Sequence, residues 1–188
     1  MFSYMKGIVG YLGVMRISLK PDVKLIKQRP FRLNPKYKEK VKKELEKIIL
    51  AGIIEPVEES EWVSPMVVQE KKTQGEIRIC VDLRQLNDEC MHDPFPTPFT
   101  NEVLDNVGGQ EAYSFTDGFL RYHQIRTAPE DQHKTTFAKK WGSYQYKVMP
   151  FGLKNSPTIF SRLVVIAFEE YIHKFWKYTS MIGQCLGY

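Results

Sequence analysis

Two runs of residues, Trp62–Glu70 and Glu76–Leu83, flank the polar stretch Lys71-Lys72-Thr73-Gln74-Gly75, and no other feature of the sequence restricts the fold so tightly. In the second run Ile77, Ile79 and Val81 alternate with Glu76, Arg78, Cys80 and Asp82. A period of two puts the apolar set on one face of a strand and the polar set on the other. The link between the runs is short, polar and ends in glycine, which predicts an antiparallel hairpin with a basic tip.

The segments around the hairpin supply an α+β complement. Asn34 is placed to cap a helix whose first turn holds Pro35, with Tyr37, Val41, Leu45, Ile48 and Ile49 on one face, a Lys/Glu solvent face, and Gly52 at its end. Upstream, Leu19–Pro35 carries three prolines and several cations without helical periodicity. It reads as an extended lead-in lying over a surface, with no core of its own. Downstream, Pro94, Pro96 and Pro98 predict a loop, and a short helix over Asn101–Val107 ends at Gly108-Gly109. Strands are expected at Ala112–Thr116, Tyr122–Arg126, Thr135–Ala138 and Ser143–Met149, with turns at Pro129 and Trp141-Gly142. Ser156-Pro157 then opens a helix with a broad apolar stripe from Ile159 to Phe175, a core face. No internal repeat or low-complexity stretch appears.

Composition bounds the class. With 43% hydrophobic and 13% aromatic residues in 188, the chain can bury a core as one domain or two small lobes. A net charge of +5 permits an anionic partner, but 22 acidic residues dilute it. Cys80, Cys90 and Cys185 show neither disulfide nor zinc spacing, which points to a reducing compartment. Met1–Ser18 is interrupted by Lys6 and glycines, so neither a signal peptide nor a membrane span is expected there. The expected setting is soluble and intracellular, in cytoplasm or nucleus, with no membrane partner.

Candidate chemistry is sparse. Asp117, in YSFTDGF, follows an apolar run and precedes a glycine. A carboxylate there suits a hard cation such as Mg²⁺, and it equally suits a plain turn. Arg78, with Lys71 and Lys72, can aim cations at a triphosphate or simply face water. Pro150 and Gly152 sit between a strand and a helix, where backbone amides can approach an anion or a base pair, or only make the connection. His92, His123, His133 and His173 have no ligand spacing.

Taken together, RPFRLNPKYKEKV, AGIIEPVEESEWVSPMVVQEKK, IRICVDLRQLN, DPFPTP, YSFTDGFLRYHQI, PEDQHKTTFA and VMPFGLKNSPTIFSRL resemble the reverse transcriptase of gypsy-type long-terminal-repeat retrotransposons, an RNA-directed DNA polymerase, over Leu19 to about Lys177. The resemblance implies right-hand polymerase fingers and a partial palm, with an antiparallel palm sheet packed on helices. It implies that Asp117 is the first metal-binding aspartate and that the Gly118 carbonyl helps hold the second of two Mg²⁺ ions. Lys71 and Arg78 match positions that grip the incoming nucleotide's phosphates, Tyr122 the aromatic under its sugar, and Phe151 and Gly152 the turn lining the nucleotide pocket. The implied partners are an RNA/DNA primer-template and dNTPs; oligomeric state is not implied.

On the same footing the chain divides into a poorly matched segment 1–18, a lead-in 19–35, mainly fingers 36–109, partial palm 110–177 and a tail 178–188. Two departures stand out. Leu120-Arg121 replaces the usual Ser-Gly before the Tyr, and KYTSMIGQCLGY stands where the family places Tyr-x-Asp-Asp, with no Asp or Glu after Glu170. Read two bases on, degenerate codons for Tyr178–Tyr188 allow Tyr-(Leu or Phe)-Asp-Asp, so the tail is expected to be frameshifted. These 188 residues, with the second and third catalytic Asp, the thumb and the ribonuclease H region absent, are expected to be inactive alone. Two further expectations are marginal stability and, as an alternative role, residual nonspecific nucleic-acid binding.

Overall fold

Asn34 opens the first helical segment as its side chain predicts: Oδ1 accepts a hydrogen bond from the Lys36 amide at 3.1 Å, and Pro35 begins a 3₁₀ turn, Pro35–Tyr37. In this computed structural model, residues 13–70, 76–95 and 121–167 are described. The turn runs into helix α1 (Lys38–Leu50), which buries Val41 and Leu45. Gly52 ends it at φ +68°, a left-handed conformation that costs glycine little.

The strands are β1 (Ile54–Val57), β2 (Ser64–Glu70), β3 (Ile77–Val81), β4 (Phe137–Lys139) and β5 (Gly142–Tyr146). They form one five-stranded sheet in the order β1-β5-β4-β2-β3. The expected hairpin is present as the antiparallel β2–β3 pair, from Met66↔Val81 to Glu70↔Ile77. Its tip, Lys71 to Gly75, lies outside the described residues. The sheet is not wholly antiparallel, because β2 and β4 run parallel through Ser64↔Phe137 and Pro65↔Ala138. Strand β1 was not anticipated: Pro56 lies within it, and its place at the sheet edge is what allows a residue without an N–H.

Two local readings need correction. Tyr122 to Arg126 is not a strand; Arg121–Gln124 is a 3₁₀ turn closed by the Ile125 amide on the Tyr122 carbonyl. Burying Tyr122 and Ile125 on one side requires a helical spacing of three, which a strand's alternation cannot give. Pro129 is not a plain turn but the first residue of a short helix, α3 (Pro129–Gln132). A second helix, α2 (Arg84–Glu89), follows β3 directly and buries Leu86. The expected helix at 101–107 and strand at 112–116 lie outside the described residues.

Helix α4 (Ser156–Ala167) forms where expected, but its most buried side chains are Ser156, Thr158 and Ser161. Of the apolar stripe expected from Ile159 to Phe175, Ile159, Phe160 and Leu163 are half-buried and Ile166 is 55% exposed, while the part beyond residue 167 lies outside the described residues. Small residues allow close approach on the inner face, leaving the larger ones along its flanks.

Two apolar clusters result. In one, α1 packs on the sheet through Val41, Leu45, Ile54, Met66, Phe137 and Tyr146. In the other, Met15, Ile17, Trp62, Leu86, Tyr122 and Met149 come from widely separated parts of the chain. Thus Met15 and Ile17, in the segment 1–18, are core residues. The lead-in crosses both clusters: Leu19, Val23 and Ile26 pack on the second-named, Leu33 and Tyr37 on the first. Isolated bridges Met15↔Thr127, Leu19↔Cys90 and Lys27↔Val63 fasten it. No described helix is long and apolar enough to cross a membrane.

Candidate nucleotide pocket

The turn after β5 carries the most organised group of site candidates. Phe151 is 42% exposed, and its ring centroid lies 4.9 Å from that of buried Tyr122. Tyr122 in turn meets Phe160 of α4 edge-on at 5.7 Å. The 3₁₀ turn presents Tyr122 to both rings and sets the His123 ring 5.1 Å from Phe151. Burial pushes the His123 imidazole down to about 4, so it is neutral at physiological pH. Its Nδ1 has no hydrogen-bond partner among the described residues.

Gly152 adopts φ +96°, and a Cβ there would meet the Val81 carbonyl and Leu83 Cδ1, each at 3.9 Å. Contact would be ordinary, so backbone conformation rather than space favours glycine. Val81 ends β3, the strand carrying exposed Arg78, which pairs in register with Gln69. The Phe151-Gly152 turn and the Arg78 strand therefore adjoin.

A set of side-chain bonds that sequence reading did not single out fixes this turn. Asn87, at the end of IRICVDLRQLN, donates from Nδ2 to the Gly152 carbonyl at 2.7 Å and accepts the Lys154 amide on Oδ1 at 2.9 Å. Lys154 Nζ donates to the Cys90 carbonyl, and Asn155 Nδ2 to the Met91 carbonyl at 2.8 Å. The Arg162 guanidinium pairs with Asp93, whose carboxylate also accepts the Phe95 amide at 3.0 Å. Asn87 and Asn155 both lie within the quoted landmark motifs. A hint was the amide in each motif, but a partner some 65 residues away leaves no local spacing.

The remaining candidates are not brought together here. Asp117, Gly118 and Lys71 lie outside the described residues, as do Lys72, Cys185 and His173. Among the described residues no group of three or more His, Cys, Asp or Glu can hold a metal ion. Cys80 and Cys90 are free thiols, and burial raises both above the usual thiol value.

Residues 69–186 match the family described as reverse transcriptase (RNA-dependent DNA polymerase), and the chain belongs to that family. It is similar to the Pol polyprotein of transposon gypsy from Drosophila melanogaster, 33% identical over 139 residues, covering 71% of this chain and 13% of that one. The Pol polyprotein of transposon 412 from the same fly is 32% identical over 136 residues, 70% of this chain and 11% of that one. The chain thus spans a small part of these relatives. Among solved structures, native prototype foamy virus protease-reverse transcriptase shares the fold, with a TM-score of 0.68, 20% identity, and coverage of 83% of this chain and 21% of that one. A foamy viral protease-reverse transcriptase in complex with double-stranded DNA gives a TM-score of 0.63 at 18% identity, covering 82% of this chain and 26% of that one.

Proposed function

We propose that the chain forms the fingers and part of the palm of a retrotransposon reverse transcriptase, whose reaction adds dNTPs to a primer 3′-hydroxyl under template direction. The observation carrying this is the Phe151-Gly152 turn, its ring tilted against that of Tyr122, pinned by Asn87 and set against the end of the Arg78 strand. In that reading Tyr122 supports the nucleotide sugar, Phe151 and Gly152 line the base-pair side of the pocket, and Arg78 with Lys71 reaches the triphosphate. Asp117, with the Gly118 carbonyl, is the proposed Mg²⁺ position. Bound divalent metal supplies charge neutralisation of the triphosphate and activation of the primer hydroxyl.

These 188 residues contain no acidic side chain after Glu170, so Asp117 is left without the second and third carboxylates of the family's site. Nucleotidyl transfer by this polypeptide alone is expected to fall below detection. The proposed cause is a frameshift near Lys177, checked by reading the underlying DNA for Tyr-x-Asp-Asp in another frame. A second reading, residual nucleic-acid binding, is favoured by the exposed cations of the lead-in.

The deciding experiment is primer extension on an RNA template with Mg²⁺. It compares the chain, its Asp117→Ala variant, and a form with Tyr-Leu-Asp-Asp restored and a thumb appended. Extension by the restored form alone supports the proposal. Extension by the unaltered chain that Asp117→Ala abolishes would show that the missing carboxylates are not needed.

A further inference from the structure

The segment just ahead of the lead-in alternates as an extended chain does. Met15 and Ile17 turn into the core, while Val14, Arg16 and Ser18 turn outward. All three outward side chains line one groove of about 310 Å³, together with Met91, Ile159 and Arg162. Ile159 and Arg162 stand three apart and share a face of α4, whereas Phe160, which meets the Tyr122 ring, lies about 100° round the helix from Ile159. The groove therefore opens on a different side of α4 from the Tyr122–Phe151 pocket.

Directional bonds between three stretches of chain preform this groove. The Met91 amide donates to the Ser18 carbonyl at 2.9 Å. Asn155 accepts the Asp93 amide on Oδ1 at 3.3 Å and donates from Nδ2 to the Met91 carbonyl at 2.8 Å. Asp93 is the only acid among the described residues that line the groove, and its carboxylate is already occupied by the Arg162 guanidinium and, at 3.0 Å, by the Phe95 amide. Arg16 is the cation left over. Its side chain is 73% exposed and reaches Glu130, itself 61% exposed, only at 3.9 Å. An exposed pair of that length is worth little and exchanges readily for a better-placed partner.

We propose that this groove binds a small amphipathic organic anion, an aromatic monocarboxylate, with its carboxylate on Arg16 and its ring against Val14, Met91 and Ile159. The guanidinium fork matches the two oxygens of a carboxylate, and the apolar wall gives a ring a surface that water does not favour. Arg16 and Arg162 against Asp93 leave a lining charge of +1 with His92 neutral, which balances one negative charge and not the several of a triphosphate. The volume falls at the small end of ligand pockets, roughly 300–1,000 Å³. This inference goes beyond the polymerase reading and does not depend on it.

The test is a two-dimensional ¹H–¹⁵N NMR titration of the full chain with naphthalene-2-carboxylate to about 5 mM, with naphthalene-2-carboxamide and inorganic phosphate as comparators. The carboxylate is expected to bind with a Kd of about 1 mM or below, shifting amides of residues 14–18, 91–93 and 155–162. The carboxamide should bind at least about fivefold more weakly, and phosphate should not displace the carboxylate. Arg16→Gln should weaken the carboxylate by about fivefold or more, and Met91→Trp, which fills the groove from a side chain 52% exposed, should abolish binding. Lys43→Gln, on the exposed face of α1, should leave affinity unchanged within about twofold. The amide spectrum itself reports whether each variant is folded. No shift by 5 mM in the folded chain, or shifts centred on Tyr122 and Phe151 instead, would overturn the site. Equal affinity for the carboxamide, displacement by phosphate, or unchanged affinity in either groove variant would overturn the assigned ligand or its contact with Arg16.

Discussion

The two halves of the molecule are held together by different physics. Where α1 covers the sheet, Val41, Leu45, Ile54, Phe137 and Tyr146 form a nearly all-apolar layer between elements of strong periodicity. Around Tyr122 and Met149 the cluster is assembled from the lead-in, α2, the Phe151-Gly152 turn and α4, and sewn shut by side-chain-to-backbone bonds. There Asp131 is buried, accepting the Ile17 amide at 2.8 Å and pairing with Lys134, whose Nζ donates to the Ile17 carbonyl at 2.8 Å. Trp62 Nε1 and Thr127 Oγ1 are buried there without a partner among the described residues. The candidate pocket sits on the sewn half. Apolar layering supports a fold, while directional bonds fix a turn's position, and a binding wall needs the second.

The sharpest way to test this contrast is to remove one apolar residue and one directional one. Phe137→Ala, fully buried under α1, should cost about 4 kcal/mol in urea unfolding and leave little folded protein. Asp131→Ala should cost about 3 kcal/mol, since it removes the partner of the half-buried Lys134 ammonium and leaves the Ile17 amide without its acceptor. Limited proteolysis should then cut within residues 13–20, whereas Phe137→Ala should give cleavage throughout. Equal cleavage patterns would erase the proposed difference.

Acid should strike the sewn half first. His123 titrates at about 4 when folded against 6.5 unfolded, so the unfolded chain binds more protons between those values. Its stabilising contribution is complete above about pH 7 and is lost as pH falls towards 4, roughly 2 kcal/mol between pH 7.5 and 5. A His123→Phe variant should show that much less loss over the same range by urea titration. Asn87→Ala should cost about 1.5 kcal/mol and speed hydrogen exchange at residues 152–155, leaving α1 amides protected. The smallest effect belongs to the apolar half: Gly52→Ala, at φ +68°, should cost about 1 kcal/mol by the same titration.

How much could be read in advance follows the same division. The α1 helix and the β2–β3 hairpin announce themselves, because a period of 3.6 or 2 repeated several times outweighs local noise. Short elements do not: α2 offers six residues, and β1 carries a proline that argues against a strand until its edge position is known. Tyr122 to Arg126 is rich in residues that favour strands, and only the demand to bury Tyr122 and Ile125 together turned it into a 3₁₀ segment. Phe151, Gly152, Tyr122 and Arg78 were identifiable as candidates by motif; Asn87, Lys154 and Asn155 were not, because their partners lie more than 60 residues away.

The sequence by itself determined the α+β class and the family, since composition, periodicity and motif are local properties that survive without coordinates. Tertiary structure alone decided that Met15 and Ile17 belong to the core, that β2 and β4 run parallel, and that Asn87 pins the Phe151-Gly152 turn. Each of these depends on which distant backbone groups become neighbours, and burial enforces that pairing because an unsatisfied polar group inside the protein is costly.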